Sequence, residues 1–355
     1  MITILLTLAC DAPEKEGTEE ALEFIDPAVK GHYGVVTEER TVSSRDGLAL
    51  PLQIWYPSQA PSEELHIYGD LKEGGAADSG LIDCSKKRPV AMFSHGNQGM
   101  RYQSYFLTEY LASHGYIVLA PDHVGNTFSD NDEARKPELI VRRPQDISDS
   151  FNWLLEQEKY QDCIDPDAGF AIIGHSFGGY TALSISGAYI DTEKTAEFCA
   201  DYPGSWLCEE VAILAEQEGT GVYDQTDERV WATIALTPAA IETLIGGIDK
   251  INTPTIIFAG EYDTLTPAET VVRGIYEALT QEEKYWAQLQ KAGHYTFSNA
   301  CDILNSYPDC QDDHIAPAEA HQLINTTITA FLENERGRPG MSDYLPVNDE
   351  RLIWE

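Results

Sequence analysis

A serine, an aspartate and a histidine in this chain are spaced for acyl-transfer chemistry. The stretch "FAIIGHSFGGYTALSISGA", Phe170 to Ala188, sets Ser176 between two glycine clusters, where a short apolar run gives way to helical spacing. Gly174-His175-Ser176-Phe177-Gly178 fits G-x-S-x-G, the pattern that raises a serine on a tight strand-to-helix turn. A strained backbone at the serine tolerates no bulky Cβ two residues away on either side. The helix that follows aims its dipole and N–H groups at a developing oxyanion. Close packing of a helix on a sheet is the competing reading of the same glycines.

The acid and the base should come later in the chain, in that order. "TIIFAGEYDTLTP" sets Asp263 just past a buried strand on a loop ended by Pro267, with Glu261 as the nearby competitor. "YWAQLQKAGHYTF" sets His294 in a small-residue turn. The other histidines fit worse: His314 and His321 come late, His114 and His123 precede the serine, and His32 and His66 lie outside the core. In "FSHGNQG" the backbone N–H of Asn97 is placed to join that of Phe177 as an oxyanion donor. His95 reads as a histidine that shapes this loop. Phe128, Trp206 and Phe297 are the expected pocket-lining side chains, with ordinary packing as the alternative. No metal or organic cofactor is implied.

These side chains need a scaffold to bring them together. "GVVTEERTVSSRDGLALPLQIWYP" alternates polar and apolar residues around a turn and predicts a β-hairpin. Residues 58–88 read as a surface excursion. From "RPVAMFSHG" onward, fully apolar short strands alternate with amphipathic helices, among them "DISDSFNWLLEQE" and "APAEAHQLINTTITAFLENE". That rhythm predicts an α/β fold with a mostly parallel sheet covered by helices on both faces. Residues 187–229 interrupt it and are expected to form a small cap over the C-terminal edge of the sheet, where open α/β folds place their sites. The expected layout is a leader and acidic spacer over 1–30, a catalytic domain over 31–335 and a wrapped or loose tail over 336–355.

The surface is acidic: 23 Lys+Arg against 59 Asp+Glu give a formal net charge of −36. Such a surface repels phosphate backbones, which argues against nucleic acid as a partner. "MITILLTLAC" resembles the end of a bacterial lipoprotein signal, in which Cys10 would be lipidated and tether the protein to a membrane. No later segment offers the ~20 unbroken apolar residues of a membrane span. None of the other six cysteines forms a C-x-x-C pair, which argues against zinc. Cys199–Cys208 and Cys301–Cys310 each bracket a short loop and are expected as disulfides. Disulfides imply an oxidising compartment, so the expected location is exported: periplasmic, extracellular or membrane-anchored.

"FSHGNQG", "LASHGYIVLAPDHVGNTFSD", "GHSFGGYTAL", "GEYDTLTP" and "AGHYTFSNACD" in this order resemble the plasma-type platelet-activating-factor acetylhydrolases and their bacterial dienelactone-hydrolase-like relatives, within the α/β-hydrolase fold. The resemblance covers about residues 33 to 334. It implies Ser176 as nucleophile, Asp263 as orienting acid, His294 as base, and Asn97 and Phe177 as oxyanion donors. True dienelactone hydrolases carry cysteine where this chain has Ser176, which counts against that activity. The strand order of the fold further implies that Cys84 and Cys163 meet as a third disulfide. The expected function is hydrolysis of small-acyl esters, with a small ester or a lipid as substrate. A polyester or aromatic-ester hydrolase and a non-catalytic surface-binding lipoprotein are the alternatives.

Overall fold

The computed structural model describes residues 22–355 except 70–71, 202–205, 240, 304–305, 312 and 346–347. Cys10 lies outside the described residues, as does the side chain of Trp206. The predicted hairpin forms as β1 (Gly34–Ser43) and β2 (Ala49–Ser58), in antiparallel register from Gly34↔Ser58 to Ser43↔Ala49. Gly47, at φ 78°, turns the chain between them. Residues 58–88 are more than a surface excursion. They carry β3 (Leu65–Tyr68) and β4 (Lys72–Ala77), and β4 lies parallel to β1. Their glycines and charges hid an edge extension, because an edge strand needs only one buried side.

The interior strands are β5 (Val90–Ser94), β6 (Ile117–Pro121), β7 (Phe170–His175), β10 (Val230–Leu236), β11 (Thr255–Gly260) and β12 (Lys284–Leu289), all parallel. Successive residues serve opposite faces: Met92 and Ile172 join one apolar cluster, Phe93 and Ile173 another. β7, which leads to Ser176, lies between β5 and β10 in the middle of an eleven-stranded sheet. The chain's end is not a loose tail, because β13 (Leu352–Trp354) pairs antiparallel with β12 at the edge.

Helices α1 (Tyr105–Ser113), α2 (Lys136–Glu156), α3 (Glu158–Gln161), α4 (Phe177–Ile185), α7 (Arg273–Ala278), α8 (Ala300–Ile303) and α9 (Pro317–Glu335) follow the strands. Between α4 and β10, a two-stranded ribbon of β8 (Ile190–Asp191) and β9 (Val222–Tyr223) encloses α5 (Thr192–Asp201) and α6 (Trp206–Glu218). This insertion buries Leu207, Val211 and Leu214 in one cluster with Ile140, Phe177 and Leu183. α2 starts ten residues before the helix read from "DISDSF". Pro144 sits inside it and leaves the Ile140 carbonyl without its helical N–H partner. The Tyr180 hydroxyl of α4 donates to that carbonyl at 2.7 Å. The proline that obscured the helix in the sequence thus helps dock it on α4.

Three disulfides close: Cys84–Cys163 across the segments leading to β5 and β7, Cys199–Cys208 between α5 and α6, and Cys301–Cys310. They mark a protein folded in an oxidising compartment, outside the cytosol. Among the described residues no helix is long and apolar enough to cross a membrane.

Burial holds several histidines neutral. It pushes His175 down to about 3, His114 and His321 to about 4, and His95 well below the usual value. Unfolded, each would take a proton near pH 6.5 that the folded state refuses. The unfolded chain therefore binds more protons, and stability falls as pH drops below about 6.5, by about 1.4 kcal/mol per pH unit for each proton refused. In the buried pair of His123 and Asp146, burial lowers the first and raises the second to about 7, so their effects oppose. Melting curves at pH 7, 6 and 5 should show Tm falling at each step. Replacing Tyr180 by Phe should cost about 1–3 kcal/mol in denaturant titrations, by leaving the buried Ile140 carbonyl unpaired.

Candidate active site

The turn after β7 holds Ser176 at φ 56° and ψ −118°, a conformation that side chains other than glycine's rarely adopt. Backbone on every side holds it there. The Ser176 N–H donates to the Leu236 carbonyl at 2.9 Å, and the Ser176 carbonyl accepts from Gly179 at 2.8 Å and Ala239 at 3.0 Å. The glycines are needed for close approach: a Cβ on Gly178 would stand 1.9 Å from the Ser94 carbonyl oxygen, and one on Gly174 1.9 Å from that of Gly178. Packing and strain are thus one device, which fastens the serine turn to the end of β5.

Asp263 follows β11, and its carboxylate is saturated with donors. It accepts from the N–H groups of Leu265 and Thr266, both at 2.8 Å, and from the hydroxyls of Thr237 at 2.5 Å and Thr266 at 2.8 Å. It also bonds His294 Nδ1 at 2.8 Å. Burial pushes its pKa up, but His294, Thr237 and the Thr266 N–H together hold it below the ordinary carboxylate value. Glu261 instead accepts from the Lys291 N–H at 2.8 Å and takes no part in this cluster. Thr237 itself sits at φ 42°, a second strained residue in the turn that docks on the serine.

His294 follows β12 and Gly293. The Cys301–Cys310 loop pins this turn, because Asp309 accepts from the Tyr295 N–H at 2.6 Å. The rings of His294 and His175 lie 4.9 Å apart, so the imidazole stands beside the residue that precedes the serine. His175 Nε2 donates to the His294 carbonyl at 2.9 Å, while its Nδ1 accepts from the Gln103 amide at 2.9 Å. Gln103 Oε1 accepts from the Gly96 N–H at 3.0 Å. One glutamine and one neutral histidine therefore tie the Gly96–Asn97 loop, the serine turn and the histidine turn together. No motif in the sequence marks Gln103 or Thr237, because the partners that define their roles, His175 and Asp263, lie 72 and 26 residues away.

Asn97 sits on the exposed loop after β5, and Phe177 is the first residue of α4. A Cβ on Gly96 would lie 3.4 Å from Ser176 Cβ, so this loop passes directly over the serine. His95 shapes it: Nδ1 donates to the Gly96 carbonyl at 2.8 Å and Nε2 accepts from the His123 N–H at 3.0 Å. The pocket residues divide. Phe128 is 73% exposed and donates its N–H to the Gly99 carbonyl at 3.0 Å, beside the loop that passes over the serine. Phe297, expected to line the pocket, is at 0% exposure a core residue packed against His175 and Phe258, the ordinary packing that was its alternative.

A family model of chlorophyllases matches residues 83–200, which contain Ser176, and a model of PET hydrolase-like proteins matches residues 217–308, which contain Asp263 and His294. The ferulic acid esterase from Streptomyces cinnamoneus superposes with a TM-score of 0.62 at 18% identity, covering 94% of this chain and 99% of that one. No curated protein matches the sequence. With the fold, these matches define the class: a serine ester hydrolase of the α/β-hydrolase superfamily.

Gly178→Ala should disrupt the site at its base. Overpacking of this kind costs about 1–3 kcal/mol and occasionally more, and here the clash is with backbone that cannot swing aside. A clearly lowered Tm is expected; a wild-type Tm would show that the approach to Ser94 is looser than described.

Proposed function

We propose that the protein hydrolyses short-acyl carboxylic esters through an acyl-Ser176 intermediate, with His294 as base and Asp263 as its orienting acid. The observation that carries this reading is the Asp263–His294 bond held beside a serine on a strained, glycine-flanked turn. With Nδ1 held by Asp263, His294 Nε2 takes the proton of the Ser176 hydroxyl as its oxygen attacks the ester carbonyl. The same nitrogen gives the proton to the departing alkoxide. Water, activated by the same imidazole, then releases the acid. The N–H groups of Asn97 and Phe177 receive the oxyanion, an interaction worth on the order of 10²–10³ in rate per donor.

A second reading has its own support. Phe128, 73% exposed beside the Gly99 loop, and Leu265, 59% exposed two residues after Asp263, give the site's surroundings exposed apolar side chains. Exposed apolar surface of this kind suits an aromatic or otherwise bulky ester, in line with the feruloyl, chlorophyll and polyester chemistry in the names of the similar proteins. A lipid tether at Cys10 belongs to the same proposal: Cys10→Ser should abolish incorporation of labelled palmitate.

A fluorophosphonate probe should label the wild type and not Ser176→Ala, and Asp263→Asn should lower kcat on the order of 10⁴-fold. Labelling that survives in Ser176→Ala would remove the proposed nucleophile. Nitrophenyl esters from acetyl to palmitoyl, set beside a hydroxycinnamate ester, separate the two readings: activity concentrated at acetyl supports the first, and a preference for the aromatic ester the second.

A further inference from the structure

Arg143 of α2 is fully buried, and its guanidinium reaches both segments that carry the proposed oxyanion donors. On one side Nη2 donates to the His95 carbonyl and, at 3.2 Å, to Ser94 Oγ. Nη1 donates to Asn126 Oδ1 at 2.7 Å, and Asn126 in turn donates to Asn97 Oδ1 at 2.8 Å. On the other side Nε donates to Thr181 Oγ1 at 3.0 Å, and the Thr181 hydroxyl donates to the Phe177 carbonyl at 3.1 Å. The guanidinium carbon also stands 4.6 Å from the centre of the Phe177 ring.

The loop it braces is tied peptide by peptide. The Gly96 carbonyl accepts from His95 Nδ1 at 2.8 Å and from the Gly99 N–H at 3.0 Å. Carbonyl and N–H of one trans peptide point in opposite directions, so fixing that carbonyl turns the Asn97 N–H the other way. Every acceptor of Arg143 is neutral. Asp146, one turn along the same helix, bonds His123 at 2.9 Å, and Arg143 forms no ion pair among the described residues. Burial pulls its pKa down to about 9 against the opposing attraction of the Asp146 carboxylate, which leaves the group charged at neutral pH. An unpaired buried charge is costly, and at low local dielectric it acts strongly on any charge that forms nearby.

We propose that Arg143 is a positioning residue for ester hydrolysis: it braces the two segments that carry the Asn97 and Phe177 N–H groups and sets a buried positive charge behind the forming oxyanion. This rests on the hydrolase reading above. The test uses Arg143→Met and Arg143→Lys in the full chain. Active sites are counted by fluorophosphonate titration, kcat and KM are measured on nitrophenyl acetate, and Ki is measured for a trifluoromethyl ketone that adds to serine as an oxyanion. Arg143→Met should lower kcat by about 10²-fold, leave KM within about threefold, and weaken the ketone in parallel with kcat/KM. Arg143→Lys should recover about tenfold of that loss, because it keeps the charge.

A kcat within about threefold of wild type in both variants would overturn the proposal. So would a loss confined to KM, or a ketone affinity that stays put while kcat falls. A lysine variant no better than methionine would overturn the role of the charge. Should Arg143→Met fail to fold, Thr181→Val decides: it removes the link to Phe177 and should lower kcat at constant KM, and an unchanged kcat sinks the idea. A wild type that neither labels nor turns over would sink the hydrolase reading together with this one. A labelled, active wild type whose variants keep its kcat sinks this inference alone.

Discussion

The approach of Gly178 to the Ser94 carbonyl is the contact on which the rest of this structure depends. It brings the first turn of α4 against the end of β5 more closely than any side chain would permit. Ser176 is thereby forced into positive φ, and its flanking backbone is locked to the turn after β10. The β10 turn also carries Thr237, whose hydroxyl reaches Asp263, so the serine and the acid share one rigid piece of backbone. A hydroxyl on a mobile loop would have to be ordered at every turnover. Here the ordering is complete when the chain folds.

Around that contact the protein uses neutral imidazoles as directional connectors. His175 and His95 each donate through one nitrogen and accept through the other, which fixes their tautomers and the segments they join. Burial keeps them uncharged, and that neutrality lets them accept an N–H at all. Protonation would turn each acceptor nitrogen into a donor facing another donor. The same arrangement that aligns the site therefore makes the fold sensitive to acid. Arg143 is the exception, a retained cation surrounded by neutral acceptors, and it lies where the two proposed oxyanion segments converge.

Much of the fold was legible because its signals are local. Unbroken apolar runs such as "FAIIG" and "TIIFAG" have one stable use, as strands covered on both faces. The misread elements were those whose partner supplies the stability. The first half of α2 holds Pro144 and survives because Tyr180 caps the carbonyl that the proline orphans. β3 and β13 are short edge strands, and β3, β4 and β13 are set by pairing to β4, β1 and β12 more than by their own residues. Phe297 follows the histidine closely in sequence, yet it points into the core under His175, a direction that residue type does not encode.

The sequence by itself determined the α/β alternation, the serine turn with its glycines, and an acid and a histidine each placed just after a buried strand. Those features follow from periodicity and from backbone angles that only certain residues tolerate. Tertiary structure alone decided that Gln103 and His175 tie three loops together and that Arg143 reaches both sides of the serine. Those outcomes turn on differences of a few ångströms between segments far apart in the chain. Such distances are fixed by the packing of the whole sheet and its helices, and no short stretch of residues contains them.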